Sequence, residues 1–267
     1  LEVTGRCVGA HAIAEEARRQ SYPLAVVRIP KTIDNDVPFV DETFGFETAV
    51  AMARTAIDAA HNEAISTRGG VGLVKTMGRE AGFIAAHAAL ASLDVNVCLI
   101  PEIGFRLEGS NGLLAHVERR IRERGHAVIV VAEGCGAALR RHESLPHDAS
   151  GNASFGSAEV DIGPYLKSAL EGYLTREGVA HSIKYIDPSY MIRGVAASGG
   201  DASFCAHLGR MAVHAAMAGK TDLMVGHLHR SFVHVPLPLV LSTQKRVDPS
   251  GELWLAVVES TGQPSFC

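Results

Sequence analysis

An α/β fold built around a parallel sheet is what this 267-residue sequence predicts, and two observations carry that expectation. Short runs of Val, Ile and Leu alternate with longer Ala-rich stretches of helical spacing, the rhythm of β-α-β units. Those short runs are apolar at consecutive positions, as strands covered on both faces by helices must be. Leu24–Ile29 reads as the first such strand, stopped by Pro30. Phe46–Ser66 reads as a helix with Val50, Ala53, Ile57 and Ala60 on one face. Gly70–Thr76 is a strand, Gly82–Ser92 a helix and Val95–Ile100 a strand. A helix over Leu113–Glu123 closes on basic residues and Gly125, and His126–Ala132 (HAVIVVA) is the most strand-like run of all.

The stretch Arg140–Gly163 differs, being rich in Ser, His, Asp, Asn and Gly, and reads as a loop or lobe boundary. It divides the chain into an expected core lobe at 1–139 and a second lobe at 140–267, whose C-terminal end is expected to return to the core. Tyr165–Glu177 and Phe204–Ala218 read as helices with a strand at Ser182–Ile186 between them. The tail from Val233 reads as extended, with Trp254–Val258 (WLAVV) as a last strand.

Composition narrows the function classes. Hydrophobic residues at 47% and charged residues at 20% exclude a disordered chain and supply an ordinary core. Twenty-five basic against 29 acidic residues give a net charge of −4, so no nucleic-acid partner is expected. Five scattered cysteines (Cys7, Cys98, Cys135, Cys205, Cys267) without a CxxC pair suit reduced thiols better than a disulfide framework or a zinc site. No apolar run approaches the roughly 20 residues of a membrane span, so no membrane partner is expected. The opening LEVTGRCVGAH lacks the pattern of a secretory signal, which points to the cytoplasm, and its missing initiator Met suggests a start inside a longer protein. Among 13 histidines, His227, His229 and His234 invite a metal reading, but no acid or Cys stands beside them at a diagnostic spacing. His227 and His229 are expected on one strand face as structural or surface residues.

In open α/β sheets ligands collect beyond the carboxyl ends of the strands, so polar clusters there carry most weight. Four follow expected strands. Pro30-Lys31-Thr32-Ile33-Asp34-Asn35-Asp36 sets two carboxylates beside a hydroxyl and an ammonium, a group able to deprotonate a hydroxyl or hold a phosphate or metal; the plainer reading is a capping turn. Met77-Gly78-Arg79-Glu80 offers close backbone approach and a bidentate cation for phosphate, or a surface turn with an Arg–Glu pair. Glu133-Gly134 places one acid at a strand tip where sugar hydroxyls could donate to it. Lys184–Arg193 (KYIDPSYMIR) supplies Lys184, Tyr190 and Arg193, two cations and a phenol suited to a phosphate monoester, or an exposed basic loop. Neither a GxxxxGK[ST] loop nor a GxGxxG after a strand is present.

In this order the clusters resemble the phosphofructokinase family. PKTIDND at 30–36 is the most specific piece, joined by FGFETAV at 44–50, VKTMGREAGFIA at 74–85, LIPE at 99–102, VIVVAEG at 128–134, YIDPSYMIR at 185–193 and TGQP at 261–264. The wording is most similar to the branch holding plant and trypanosomatid ATP-dependent enzymes, close to some bacterial pyrophosphate-dependent ones. The resemblance implies two Rossmann-like lobes with mostly parallel sheets flanked by helices, the first lobe truncated. It implies phosphoryl transfer to the 1-hydroxyl of fructose 6-phosphate, with Mg2+, ATP as the favoured donor and pyrophosphate as the alternative, and a homo-oligomer; the other reading is a non-catalytic sugar-phosphate-binding relative that lacks the donor site. On this chain Asp34 matches the general base, Thr32 the neighbour of the transferring phosphoryl group and Asp36 a magnesium contact. Met77, Gly78 and Arg79 match the MGR segment, and Ile33 and Glu133 match sugar contacts. Tyr190, Met191, Ile192 and Arg193 match the sugar-phosphate clamp, with Lys184 where some members use Arg. The family's GGDG-type magnesium motif falls near Glu2–Arg6 and is not intact, Thr4 standing in the Asp position. The helix that follows that motif fits residues 8–19. Gly5 and Lys31 match positions that separate ATP from pyrophosphate use.

Overall fold

The computed structural model describes residues 2–138 and 160–266. In chain order it runs α1 (Glu2–Arg19), β1 (Val27–Arg28), α2 (Phe46–Ser66), β2 (Gly70–Thr76), α3 (Phe83–Ser92), β3 (Val97–Leu99), α4 (Leu113–Arg124) and β4 (His126–Ala132). It continues α5 (Cys135–Ala138), α6 (Ile162–Arg176), β5 (Ser182–Ile186), α7 (Ser189–Gly194), α8 (Gly199–Met217), β6 (Leu223–Leu228), β7 (Ser231–Pro236), α9 (Leu237–Leu241) and α10 (Glu252–Thr261). The fold is α/β, as the alternation implied. Most of the expected loop, 140–159, lies outside the described residues, while Ile162 and Gly163 at its end already belong to α6.

Two compact units are present, each discontinuous in sequence: Leu1–Thr48 with Ala196–Lys245, and Ala49–Val195 with Arg246–Cys267. Composition marks polar stretches but not which distant segments pair, and here β1 pairs with β6, some 200 residues away.

The larger unit holds a four-stranded sheet in the order β3-β4-β2-β5, every pairing parallel. β2 and β4 are buried along nearly their whole length, which is why their sequences are apolar at consecutive positions. Small residues let helices approach: Gly72 lies against Ala60 of α2, where an added Cβ would fall 2.9 Å from that methyl. Gly125 ends α4 at φ 82°, its N–H donating to the Ile121 carbonyl, so β4 begins at the next residue. With all four strands parallel, their carboxyl ends share one edge, and that edge carries Glu102, Glu133, Met77–Arg79 and Asp187.

The smaller unit carries the sheet β1-β6-β7, with β1–β6 parallel and β6–β7 antiparallel. One of its apolar clusters joins Cys7, Val37, Val40, Met224, Val235, Leu237 and Val240; another joins Leu208, Ala215, Leu223 and Val225.

Several sequence expectations are corrected. The WLAVV strand is helical within α10, because Trp254, Val257 and Thr261 fall on one buried helical face. β1 is two residues rather than six. β3 is Val97–Leu99 rather than Val95–Ile100. The tail from Val233 is extended only to Pro236, and α9 follows. His229 is not on a strand face with His227: with Arg230 it forms the β6–β7 turn, at φ 50° and 64°. α8 begins at Gly199, capped by the Ser198 side chain accepting from Asp201 N–H, five residues before the expected start. The helix expected at 8–19 takes in Glu2–Arg6 as well.

Candidate active site

Strand register builds the core of the site in the larger unit. Thr76 of β2 is level with Ala132 of β4, so the residues that follow leave the sheet side by side. Glu133 N–H donates to the Thr76 carbonyl (3.0 Å) and Gly134 N–H to the Gly78 carbonyl (3.1 Å). Gly134 is required there: a Cβ would lie 2.0 Å from the Arg79 carbonyl oxygen, a backbone atom that cannot give way. Gly78 adopts φ 120°, a conformation open to glycine. The strand-tip reading of Met77–Arg79 and Glu133 is therefore one place, not two.

These segments line a cleft of about 210 Å³ with Lys75, Arg79, Glu133, Gly134, Val160, Asp161 and Ile162 around it. A cation, an acid and exposed backbone at such a strand edge suit a polar, anionic ligand. Met77 is buried beneath the loop. Glu80 meets Arg246 (3.1 Å). The loop is braced by Glu102, the acid of LIPE, whose carboxylate accepts from Gly82 N–H (3.0 and 3.1 Å) and Val247 N–H (2.9 Å).

β5 delivers the basic segment beside β2. Tyr190 is 90% exposed on the short helix α7, with Met191 and Arg193 also exposed and Ile192 buried as its anchor. None of the four is among the residues around the cleft. Lys184 projects from the face of β5 opposite to Tyr185, with its ammonium 3.5 Å from Glu63 of α2.

The smaller unit holds the acidic loop after β1. Thr32 is buried and its hydroxyl accepts from Asp34 N–H (3.1 Å). Ile33, Asp34 and Asp36 are half-buried, and Lys31 is exposed. Asn35 sits at φ 56°, its amide donating to the Asp41 carbonyl (3.3 Å). Lys245 ties the loop down, its backbone N–H donating to the Asp36 carbonyl (3.2 Å) and its ammonium to the carbonyls of Val40 (3.0 Å) and Asp41 (2.9 Å). Burial pulls the Lys245 pKa down to about 8 against the opposing pull of Asp41, Asp36 and Glu42. The Asp36 Oδ1 and Asn35 Oδ1 atoms are buried with no hydrogen-bond donor among the described residues. Such hard oxygens fit a magnesium ion, which takes carboxylate oxygen and water.

Sequence reasoning missed Lys75, Asp161, Glu102 and Lys245 as supports. A Lys inside an otherwise buried strand was the available signal for the first. Gly5 lies within the first turns of α1.

Comparison with known proteins follows the same lines. A family model described as Phosphofructokinase matches residues 4–216. The chain is similar to the ATP-dependent 6-phosphofructokinase of Borreliella burgdorferi, 48% identical over 262 residues, covering 96% of this chain and 58% of that protein. It is 48% identical over 254 residues to an ATP-dependent 6-phosphofructokinase of Amycolatopsis methanolica, covering 93% of this chain and 54% of that one. ATP-dependent 6-phosphofructokinase 7 of Arabidopsis thaliana shares 46% over 260 residues, with 97% and 53% covered. The chain thus spans little more than half the length of these relatives. A crystal structure titled as the pyrophosphate-dependent phosphofructokinase of Marinobacter aquaeolei shares the fold, with TM-score 0.71 at 24% identity over 96% of this chain and 64% of that one.

Proposed function

This chain belongs to the phosphofructokinase family, and we propose that it carries the acceptor-sugar half of an enzyme that phosphorylates the 1-hydroxyl of fructose 6-phosphate to fructose 1,6-bisphosphate. The observation that carries this reading is the lacing of Met77-Gly78-Arg79 to Glu133-Gly134 around one cleft. Glu133 accepts sugar hydroxyls, Met77 and Gly78 shape the sugar site, and Ile33 is given a sugar contact by its place in PKTIDND. Arg79 neutralises charge on the transferring phosphoryl group, in a reaction that needs chiefly positioning and electrostatic stabilisation. Tyr190 and Arg193, exposed on α7 on either side of Met191 and Ile192, grip the 6-phosphate. Lys184 is assigned to the same clamp by its place in the segment alone, since its side chain leaves the opposite face of β5 toward Glu63.

Asp34 takes the proton from the 1-hydroxyl, with Thr32 and Asp36 beside it on the loop. The unbonded Asp36 oxygen is the chain's own contribution to a magnesium ion, which would supply positive charge at the phosphoryl group when bound. ATP is the favoured donor, because the relatives of 46–48% identity are named ATP-dependent, while the pyrophosphate-dependent likeness is one of fold. Lys31 and Gly5 are the chain's residues at the donor side. The same reading makes it a homo-oligomer of the cytoplasm.

Two measurements test this. Calorimetry should show fructose 6-phosphate binding that Arg193→Ala and Tyr190→Ala each weaken about 10-fold or more, the loss of one charge-assisted hydrogen bond. Wild-type affinity in both variants rejects the clamp. Product formation should require ATP, and Asp34→Asn should lower it by at least about 100-fold with sugar binding retained, the usual span for a general base. Turnover with pyrophosphate alone overturns the donor assignment, and full turnover in the variant overturns the base.

A further inference from the structure

Lys75 is the one cation inside the buried run of β2, and three elements meet at its ammonium. Its Nζ lies 3.0 and 3.2 Å from the two Asp161 carboxylate oxygens and 2.9 Å from Asp187 Oδ2, with the side chain 11% exposed. Asp161 caps α6, its carboxylate accepting from Gly163 N–H (3.2 Å). Asp187 turns the chain from β5 into α7, its carboxylate accepting from Ser189 N–H (3.0 Å) and from the Ser189 hydroxyl. Register fixes the meeting: Val74 is level with Ile186, so Lys75 and Asp187 leave the sheet together on the face that carries Tyr185. The Tyr185 ring covers Gly163 so closely that a Cβ there would come within 2.3 Å of it. Lys75 also borders the cleft shared with Arg79 and Glu133.

Two consequences follow from this geometry. The ammonium pins the corner from which α7, with Tyr190 and Arg193, departs. It also cancels part of the negative charge that Asp161 and Asp187 place beside a cleft meant for an anion; stripped of Lys75, two neighbouring carboxylates would face a sugar phosphate. We propose that Lys75 is a positioning and charge-balancing residue for the sugar-phosphate site, acting through Asp161 and Asp187 rather than by touching the transferred group. The inference rests on the reading of this cleft as a fructose 6-phosphate site.

The test is a set of variants measured by fructose 6-phosphate calorimetry and, where turnover is followed, by KM against kcat. Lys75→Met keeps the side chain's length and removes its charge, and should weaken binding about 10-fold or more, equivalent to about 1.4 kcal/mol, with kcat changed less than KM. Lys75→Arg, which keeps the charge, should stay within about 3-fold of wild type, well under that tenfold step. Lys75→Met combined with Asp161→Asn restores the local charge and should regain most of the lost affinity, an effect that loss of packing would not produce. If Lys75→Met folds and binds as tightly as wild type, or if the combined variant stays as weak as Lys75→Met alone, the inference falls. Should Lys75→Met fail to fold, Lys75→Arg and the combined variant decide between the same two outcomes. Absence of fructose 6-phosphate binding in the unaltered chain would overturn the functional reading itself, a distinct result.

Discussion

Glu102 offers the sharpest energetic test of how the MGR loop is held. Its carboxylate accepts from two backbone donors that belong to separate parts of the larger unit: Gly82, just before α3, and Val247, at the start of the segment returning to that unit. Val247 and Gly82 are both buried, so neither N–H has water as a ready substitute. A hydrogen bond to a charged acceptor contributes about 1.5–3 kcal/mol, and two of them set the gross loss for Glu102→Ala at about 3–6 kcal/mol. Glu102 is itself half-buried, so water entering the vacated space recovers part of this, and about 3 kcal/mol is the expected net cost. At about 2–4 °C per kcal/mol for a cooperative unit of this size, Tm should fall by about 6–12 °C. Glu102→Gln keeps a carbonyl oxygen able to serve one donor and should cost about half as much. Thermal unfolding of purified variants, followed by circular dichroism, reads both. A drop below about 2 °C for the alanine variant, or a glutamine variant as damaged as the alanine one, would refute the account of Glu102 as the clasp between these segments.

Asp201 plays the corresponding part in the smaller unit: it is 1% exposed and accepts from Gly45 N–H (2.6 Å), Thr48 N–H (2.8 Å) and the Thr48 hydroxyl (2.5 Å). Asp201→Ala should destabilise by about 4 kcal/mol or more, measured by urea unfolding, and Asp201→Asn by less than half of that. The Lys75 lock should respond to acid. Burial works against both its charges, yet hydrogen bonds to Asp187 and Asp161 hold the Lys75 pKa above the usual lysine range, while those from Ser189 and Lys75 hold the Asp187 carboxyl below its ordinary 3.8. The stabilisation from Asp187 is therefore complete above about pH 4 and fades as pH falls through its lowered folded value; that from Lys75 is complete below about pH 10. The Tm gap between wild type and Lys75→Met should stay level from pH 5 to 9 and narrow below pH 4; a gap that grows on acidification contradicts the lock.

How much of this was legible in the sequence depended on whether the information was local. β2, β4, β5 and α2 were read with their bounds because apolar runs and a helical Ala face are local signals. The α10 misreading has a local cause as well: Trp254, Val257 and Val258 favour a strand by composition, but packing of Trp254 and Val257 on one helical side prevails over propensity. Gly199 and Gly200 hid the start of α8, since two glycines argue against a helix until the Ser198 cap is known. Met77–Arg79 and Glu133 were found because strand ends are visible in sequence. Their union was not, because it depends on β4 lying next to β2. The Lys75–Asp187 pair was out of reach for the same reason: β5 adds to the free side of β2 and not to β4, its nearer neighbour along the chain, and no residue pattern in either strand announces that order.

The polar atoms of the two units sort the carboxylates by what each can still do. Glu102, Asp161 and Asp201 all accept backbone N–H groups at or beside the start of a helix, where four donors have no partner within the helix. A carboxylate held in this way is fixed by the fold, and moving its electrons toward a substrate would leave those donors unsatisfied. Asp36 is placed otherwise. The loop around it is restrained through backbone carbonyls, by the Lys245 ammonium at Val40 and Asp41 and by the Lys245 N–H at Asp36, so the restraint does not draw on Asp36 Oδ1. A buried acceptor without a donor costs about 1–3 kcal/mol, a cost that the magnesium contact proposed above would offset. These four acids, spread over strand ends, helix starts and a loop, thus differ in whether a main-chain donor already occupies them.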